Sequence, residues 1–217
     1  MFADRRDAGR AVAHAVAALG NLGDAVVLAL PRGGVPVAYE VASALHLPLD
    51  VLLVRKLGAP FQPELAVGAV ADGGIVVLNE DILEAVHLSR QSLEPAIADE
   101  QIHIRRQADI YRRGRAAVSI EGRTVILVDD GLATGATMRA AIQVVRPSAH
   151  RVIAAVPVGP PETCAELAEQ ADDCICVEQH VNFDAVGLYY TNFDQTSDAE
   201  VCALLDEANN LQRPRTN

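Results

Sequence analysis

The run Asp129-Asp130-Gly-Leu-Ala-Thr-Gly-Ala-Thr137 sets two adjacent carboxylates directly before a loop of small residues carrying two hydroxyls. Carboxylates accept hydrogen bonds from vicinal sugar hydroxyls. Backbone N–H groups at the start of a helix hold a phosphate, because they have no partner within the helix and lie at its positive end. The spacing suits a sugar phosphate, with Asp129 and Asp130 at the hydroxyls and Thr134, Gly135, Ala136 and Thr137 around the phosphate. This is not a Walker loop, which requires a lysine that is absent here. No G-x-G-x-x-G occurs in the chain, which weakens a dinucleotide reading. An acidic pair alone would equally fit a polar turn at a strand end. The nine-residue string is far more specific.

Two shorter runs add cations and glycines. Pro31-Arg32-Gly33-Gly34 follows one apolar strand, and Arg55-Lys56 ends a second. Lys56 is the single lysine beside 17 arginines. Separately these runs read as a plain turn and a solvated strand end. Their placement at successive strand ends says more, because open α/β sheets bind ligands at the C-terminal edge of their strands. Four of the eight aromatic residues, Phe183, Tyr189, Tyr190 and Phe193, fall within eleven positions. They can stack a planar base or form the core of a small lobe. Glu64 can meet Mg2+ or substrate, or simply face water.

These groups need a scaffold that gathers them. Residues 4–19 place Ala8, Val12, Val16 and Leu19 at helical spacing, closed by Gly20. A strand at Ala25–Leu30, a helix at Val35–Leu45 and a strand at Asp50–Val54 follow. Glycines and prolines then break the pattern, so a mobile loop outside the core is expected over 57–75, within which Ala66–Val70 and Ile75–Leu78 can pair as a ribbon. Ser92 is positioned to cap a helix running to about Arg113, with Pro95 in its first turn. Next come strand Val125–Val128, helix Ala136–Val145, strand Val152–Val156, helix Glu162–Gln170 and strand Cys174–Val177. Ser197 caps a closing helix to about Ala208. Such alternation predicts an α/β fold, a Rossmann-like parallel sheet flanked by helices. With no repeat and no linker, residues 1–217 form a single domain, of which 178–217 make an aromatic segment and closing helix.

A formal net charge of -11 argues against nucleic acid as a partner. The cluster Arg105, Arg106, Arg112, Arg113 and Arg115 lies among acidic residues and reads as a solvated helix face. Cys164, Cys174, Cys176 and Cys202 show neither C-x-x-C nor zinc-finger spacing, so reduced structural thiols are expected and no protein-bound metal. The opening Met1-Phe-Ala-Asp-Arg-Arg-Asp lacks the apolar core of a leader, and no apolar stretch reaches the ~20 residues that cross a bilayer. A cytoplasmic protein without a membrane partner is expected.

Asp129 to Thr137, preceded by Val-Ile-Leu-Val, resembles the phosphoribosyl pyrophosphate signature of type I phosphoribosyltransferases. Further similar residues extend over most of the chain. Val-Arg-Lys-Leu-Gly-Ala-Pro and Asp-Ala-Val-Gly-Leu-Tyr-Tyr look most like small bacterial predicted phosphoribosyltransferases of undefined acceptor. The resemblance implies the family's fold, with a small C-terminal or inserted hood lobe. It implies that Asp129 and Asp130 hold the ribose hydroxyls and that Ala133 to Thr137 wrap the 5-phosphate. Arg32, Gly33 and Gly34 would form the pyrophosphate loop, Arg55 and Lys56 would face the leaving group, and 57–75 would be the catalytic loop. Mg2+ is the implied cofactor, held mainly through substrate and water. Partners are phosphoribosyl pyrophosphate, an unidentified small-molecule acceptor and a second copy of the chain. Phe183, Tyr189 and Tyr190 either stack the acceptor base or form the core of the small lobe. Two departures stand out: Ala133 replaces the acidic residue of 6-oxopurine members, and 57–75 holds neither the lysine nor the histidine of orotate members. A binding protein that has lost transfer is the alternative.

Overall fold

The computed structural model describes residues 1–211, without the side chains of Pro63 and Glu64. In chain order the first elements are α1 (Arg5–Ala17), β1 (Ala25–Ala29), α2 (Gly34–Leu45), β2 (Leu49–Val51), β3 (Val54–Ala59), β4 (Gln62–Ala71) and β5 (Val76–Leu78). The remainder are α3 (Glu80–Ala85), α4 (Arg90–Arg112), β6 (Thr124–Val128), α5 (Ala136–Val145), β7 (Arg151–Gly159), α6 (Pro161–Ala168), β8 (Asp173–Gln179) and α7 (Asp198–Leu211). The main sheet is parallel throughout, in the order β2-β1-β6-β7-β8.

Strands buried on both faces must be apolar at every position, and β1 and β6 are fully buried along their length. Alternate residues feed two cores. Val27, Ala29, Ile126, Val128 and Ile153 pack with α1, α2 and α7, whereas Val26, Leu28, Val125, Leu127 and Val152 pack with α5 and α6. Caps fix the helix starts. Asp4 accepts from the Asp7 N–H at 2.8 Å, and Ser197 accepts from the Glu200 N–H at 3.2 Å. The cap of α4 is Ser89 rather than Ser92, since Ser89 Oγ accepts from the Ser92 N–H at 3.2 Å, and Pro95 falls beyond the first turn.

The segment 57–75 differs from the expected loop. Together with Val54–Lys56 and Val76–Leu78 it forms an antiparallel sheet, β3-β4-β5, with Val54 opposite Ala71 and Gly68 opposite Leu78. Leu57, Val67, Ala69 and Val70 are buried, so the ribbon belongs to the core rather than lying outside it. Arg55 and Lys56 therefore sit on β3 of this ribbon, not at the end of β2, because the main-sheet strand stops at Val51.

Arg112 also departs from its expected place on a solvated face. Its Nε donates to Asp50 Oδ1 and Oδ2 at 3.0 and 3.1 Å, its Nη2 donates to the Val51 carbonyl at 2.8 Å, and its Nη1 lies 2.6 Å from Asp72 Oδ2. This buried triad ties the end of α4 to β2 and to the turn after β4. Both feet of the ribbon are thereby fixed. Burial raises the Asp72 carboxyl above its ordinary pKa, against the pull of Arg112.

Candidate active site

Strand order reverses between β1 and β6, where the chain continues outward to β2 on one side and to β7 on the other. At such a switch point the loops diverge and leave a crevice at the strands' C-terminal ends. Leu30–Gly34 leaves β1 there and Asp129–Thr137 leaves β6. The two loops are locked together by the Leu30 N–H, which donates to the Val128 carbonyl at 2.8 Å.

Gly33 and Gly34 are required by space. Gly33 has ordinary helical angles (φ −60°, ψ −34°), yet a Cβ there would lie 2.0 Å from Asp130 Oδ2. One on Gly34 would lie 2.6 Å from the Val128 carbonyl oxygen. The glycines let the β1 loop touch the acidic pair. Gly33→Ala is expected to displace the Asp130 carboxylate and to cost about 1–3 kcal/mol, the usual penalty of overpacking. A thermal melt matching the parent would contradict that packing.

The two carboxylates have different surroundings. Asp130 Oδ2 accepts from Arg5 Nε at 2.8 Å, and its backbone carbonyl accepts from the Tyr190 hydroxyl at 2.6 Å. Asp129 Oδ1 accepts from the Asp130 N–H at 2.9 Å. Burial first, and the neighbouring Asp130 charge second, hold the Asp129 carboxyl well above the usual carboxylate range. After the pair, Leu132 is buried and its N–H bonds the Val158 carbonyl at 2.8 Å, while Ala133, Thr134 and Thr137 are exposed and Ala136 is exposed only in part. Gly135 caps α5 at φ +69°, a left-handed conformation that favours glycine. Arg139 Nη2 donates to the Thr134 carbonyl at 2.7 Å and steadies the loop from behind.

A cleft of about 310 Å3 is lined in part by Pro31, Arg55, Lys56, Glu100, Gln107 and Thr137, whereas Asp129, Asp130 and Arg32 to Gly34 lie outside its lining. The β1 loop, the β3 cations and the start of α5 thus face one space. Arg55 Nε lies 3.4 Å from Glu100 Oε2 of α4. Arg32 Nη1 lies 3.8 Å from Asp198 Oδ1 at the start of α7. Asp198 also accepts from the Tyr111 hydroxyl at 2.7 Å. Burial, together with this contact, pushes the Tyr111 pKa up to about 12.

The aromatic segment is the core of a lobe. Tyr190 is buried, with ring centroids of Phe2 and Phe193 at 5.7 and 4.9 Å. Tyr189 stacks on His180 at 4.3 Å and on Phe183 at 4.9 Å. These ring contacts build the core of the lobe, while Phe183 and Tyr189 remain only half-buried. The side chain of Glu64 lies outside the described residues. Sequence reasoning missed Arg5, Glu100 and Gln107. Arg5 is 125 residues from its partner, and Glu100 and Gln107 carry no motif.

The order of the sheet and the loops at its switch point define an α/β protein with a loop-walled crevice beside an acidic pair. The chain belongs to the phosphoribosyl transferase domain family, whose model matches residues 5–191. It is 50% identical over 209 residues to a Mycobacterium tuberculosis protein named "Putative phosphoribosyl transferase", covering 96% of this chain and 47% of that protein. The chain thus spans about half the length of the curated relatives it matches. The crystal structure of TT1426 from Thermus thermophilus superimposes with a TM-score of 0.88 at 47% identity, covering 95% of this chain and 98% of that one. AQ2163 from Aquifex aeolicus, at a TM-score of 0.50 and 11% identity over 93% of this chain and 84% of its own, shares the fold alone.

Proposed function

We propose that the chain transfers phosphoribose from phosphoribosyl pyrophosphate to a nitrogenous acceptor and releases pyrophosphate. The observation that carries this reading is the meeting of three elements at one switch point: the acidic pair, the Thr134–Thr137 loop and the Arg32–Gly34 loop. A C1–N bond forms as the C1–O bond to pyrophosphate breaks, placing positive charge on the ring and negative charge on the leaving group. Asp129 and Asp130 lie on the ring side of this separation. Arg32, Arg55, Lys56 and the backbone N–H groups of the β1 loop lie on the pyrophosphate side. The ribbon β3-β4, fixed at its feet, walls the pyrophosphate side through Arg55 and Lys56 and limits water at the activated sugar.

Mg2+ fits this site through substrate and water rather than through a protein cage. Asp130 is engaged by Arg5, and burial and the Asp130 charge oppose ionisation of Asp129, so the pair is a poor direct ligand set. Mg2+ retains several waters and binds diphosphate oxygens readily. When bound it offsets the charge that develops on the leaving group. Ala133 places no acidic group against an acceptor, which favours substrates other than 6-oxopurines.

A second reading, a binding protein without transfer, is favoured by the lack of lysine or histidine in residues 57–75, since arginine cannot act as a general acid. Incubation with phosphoribosyl pyrophosphate, Mg2+ and a panel of purines, pyrimidines and amines separates the two. Acceptor-dependent pyrophosphate release is expected. Saturable donor binding with no release from any acceptor would support the binding protein instead. Among the described residues, no helix is long and apolar enough to cross a membrane.

A further inference from the structure

Arg5, at the first turn of α1, is held from three directions. Its Nε donates to Asp130 Oδ2 at 2.8 Å, its Nη1 donates to the Asp194 carbonyl at 2.7 Å, and its Cζ lies 3.9 Å from the centre of the Phe193 ring. The side chains of Arg5 and Asp130 are only 12% and 16% exposed. Two hydrogen bonds on different edges fix the guanidinium in its plane, and the ring fixes it face-on. Asp130 is constrained in turn, by Arg5 at Oδ2, by the Tyr190 hydroxyl at its backbone carbonyl, and by Gly33 packed against its carboxylate.

Given the donor reading above, on which this rests, we propose that Arg5 is a positioning residue. It sets the plane of the Asp130 carboxylate, so that Oδ1 meets a ribose hydroxyl in one fixed orientation. The arginine itself never touches the donor. Its charge-assisted bond to Oδ2 is stronger than a neutral one and leaves a single carboxylate oxygen for the sugar. The hood, through Phe193, Asp194 and Tyr190, then acts on the ribose end of the site rather than on a base.

The role differs from mere structural support in which part of the donor it affects. Calorimetric titration of the parent, Arg5→Gln and Arg5→Lys would use phosphoribosyl pyrophosphate with Mg2+, ribose 5-phosphate, and inorganic pyrophosphate with Mg2+. Arg5→Gln is expected to weaken the two ribose ligands by on the order of tenfold to a hundredfold, the cost of misplacing a contact group. Its affinity for pyrophosphate should stay within about twofold, as for an independent site. Arg5→Lys keeps the charge without the planar fork and should recover only part of the loss. An equal loss for all three ligands, or no loss in a folded variant, would overturn the assignment. Where Arg5→Gln does not fold, the same comparison is read from Arg5→Lys. A parent that binds none of the three ligands removes the donor reading itself and this role with it.

Discussion

Asp129→Asn should leave the protein more stable at neutral pH and nearly inactive. Burial and the Asp130 charge both oppose ionisation of Asp129, outweighing the Asp130 N–H and Arg5, which favour it. The folded-state pKa therefore stands above the unfolded value. Its stabilising contribution is complete below the ordinary value of 3.8 and is lost as the pH rises through the folded value. An amide has no such loss. The variant's advantage should thus be small in acid and grow toward neutrality, reaching roughly 0.5–2 kcal/mol, the scale common when a functional site is relieved. Turnover should fall by on the order of a hundredfold, since hydrogen bonds to a charged group contribute about 1.5–3 kcal/mol each. Asp130→Asn should lose turnover without gaining stability, because it gives up the Arg5 ion pair. Melting curves at about pH 4 and pH 7 test the sign. A stability difference between parent and Asp129→Asn that does not change with pH would contradict it.

Arg112→Met is expected to be the most destabilising single change outside the site. It would leave Asp50 and Asp72 buried beside each other without their cation. Removing one member of a buried ionic group costs about 3–5 kcal/mol. For a chain of this size that corresponds to roughly 6–20 °C in melting temperature. Replacing Asp72 with Asn in the Arg112→Met background should recover part of the loss, because one unpaired charge is removed. The Val118 N–H, which donates to Asp50 Oδ2 at 3.0 Å, keeps Asp50 partly satisfied. A melt within about 0.5 kcal/mol of the parent, the range of ordinary surface changes, would show that the triad does not hold the ribbon's feet.

What the sequence revealed follows from how local each feature is. The apolar run before Asp129 and the Gly/Thr loop after it are consecutive, and the helix predicted over 136–145 is the one observed. The parallel sheet was legible for the same reason, since doubly covered strands show unbroken apolar runs. Leu52 and Leu53 continued the apolar run of β2 into Val54, hiding the point where the chain leaves one sheet for another. Arg112 lay among arginines that do face water, and only the fold brings Asp50 and Asp72 to it. Gly33 was expected to serve a ligand. Its first constraint is the Asp130 side chain, a neighbour almost a hundred residues away in the chain.

Arg5 and the aromatic lobe were the least legible, because their meaning depends on pairings across the whole chain. Phe2 pairs with Tyr190 as neighbouring backbone, and this brings the first helix to the acidic pair. An aromatic cluster in sequence signals a core or a base platform equally well. Ring contacts among Phe183, His180 and Tyr189 show that it packs as a lobe.

The most direct test of the central claim is the crystal structure of the chain with phosphoribosyl pyrophosphate and Mg2+. The expected complex has ribose hydroxyls at Asp129 and Asp130, the 5-phosphate against Thr134 to Thr137, and the pyrophosphate beside Arg32 to Gly34. A donor bound elsewhere, or none at saturating concentration, would contradict it.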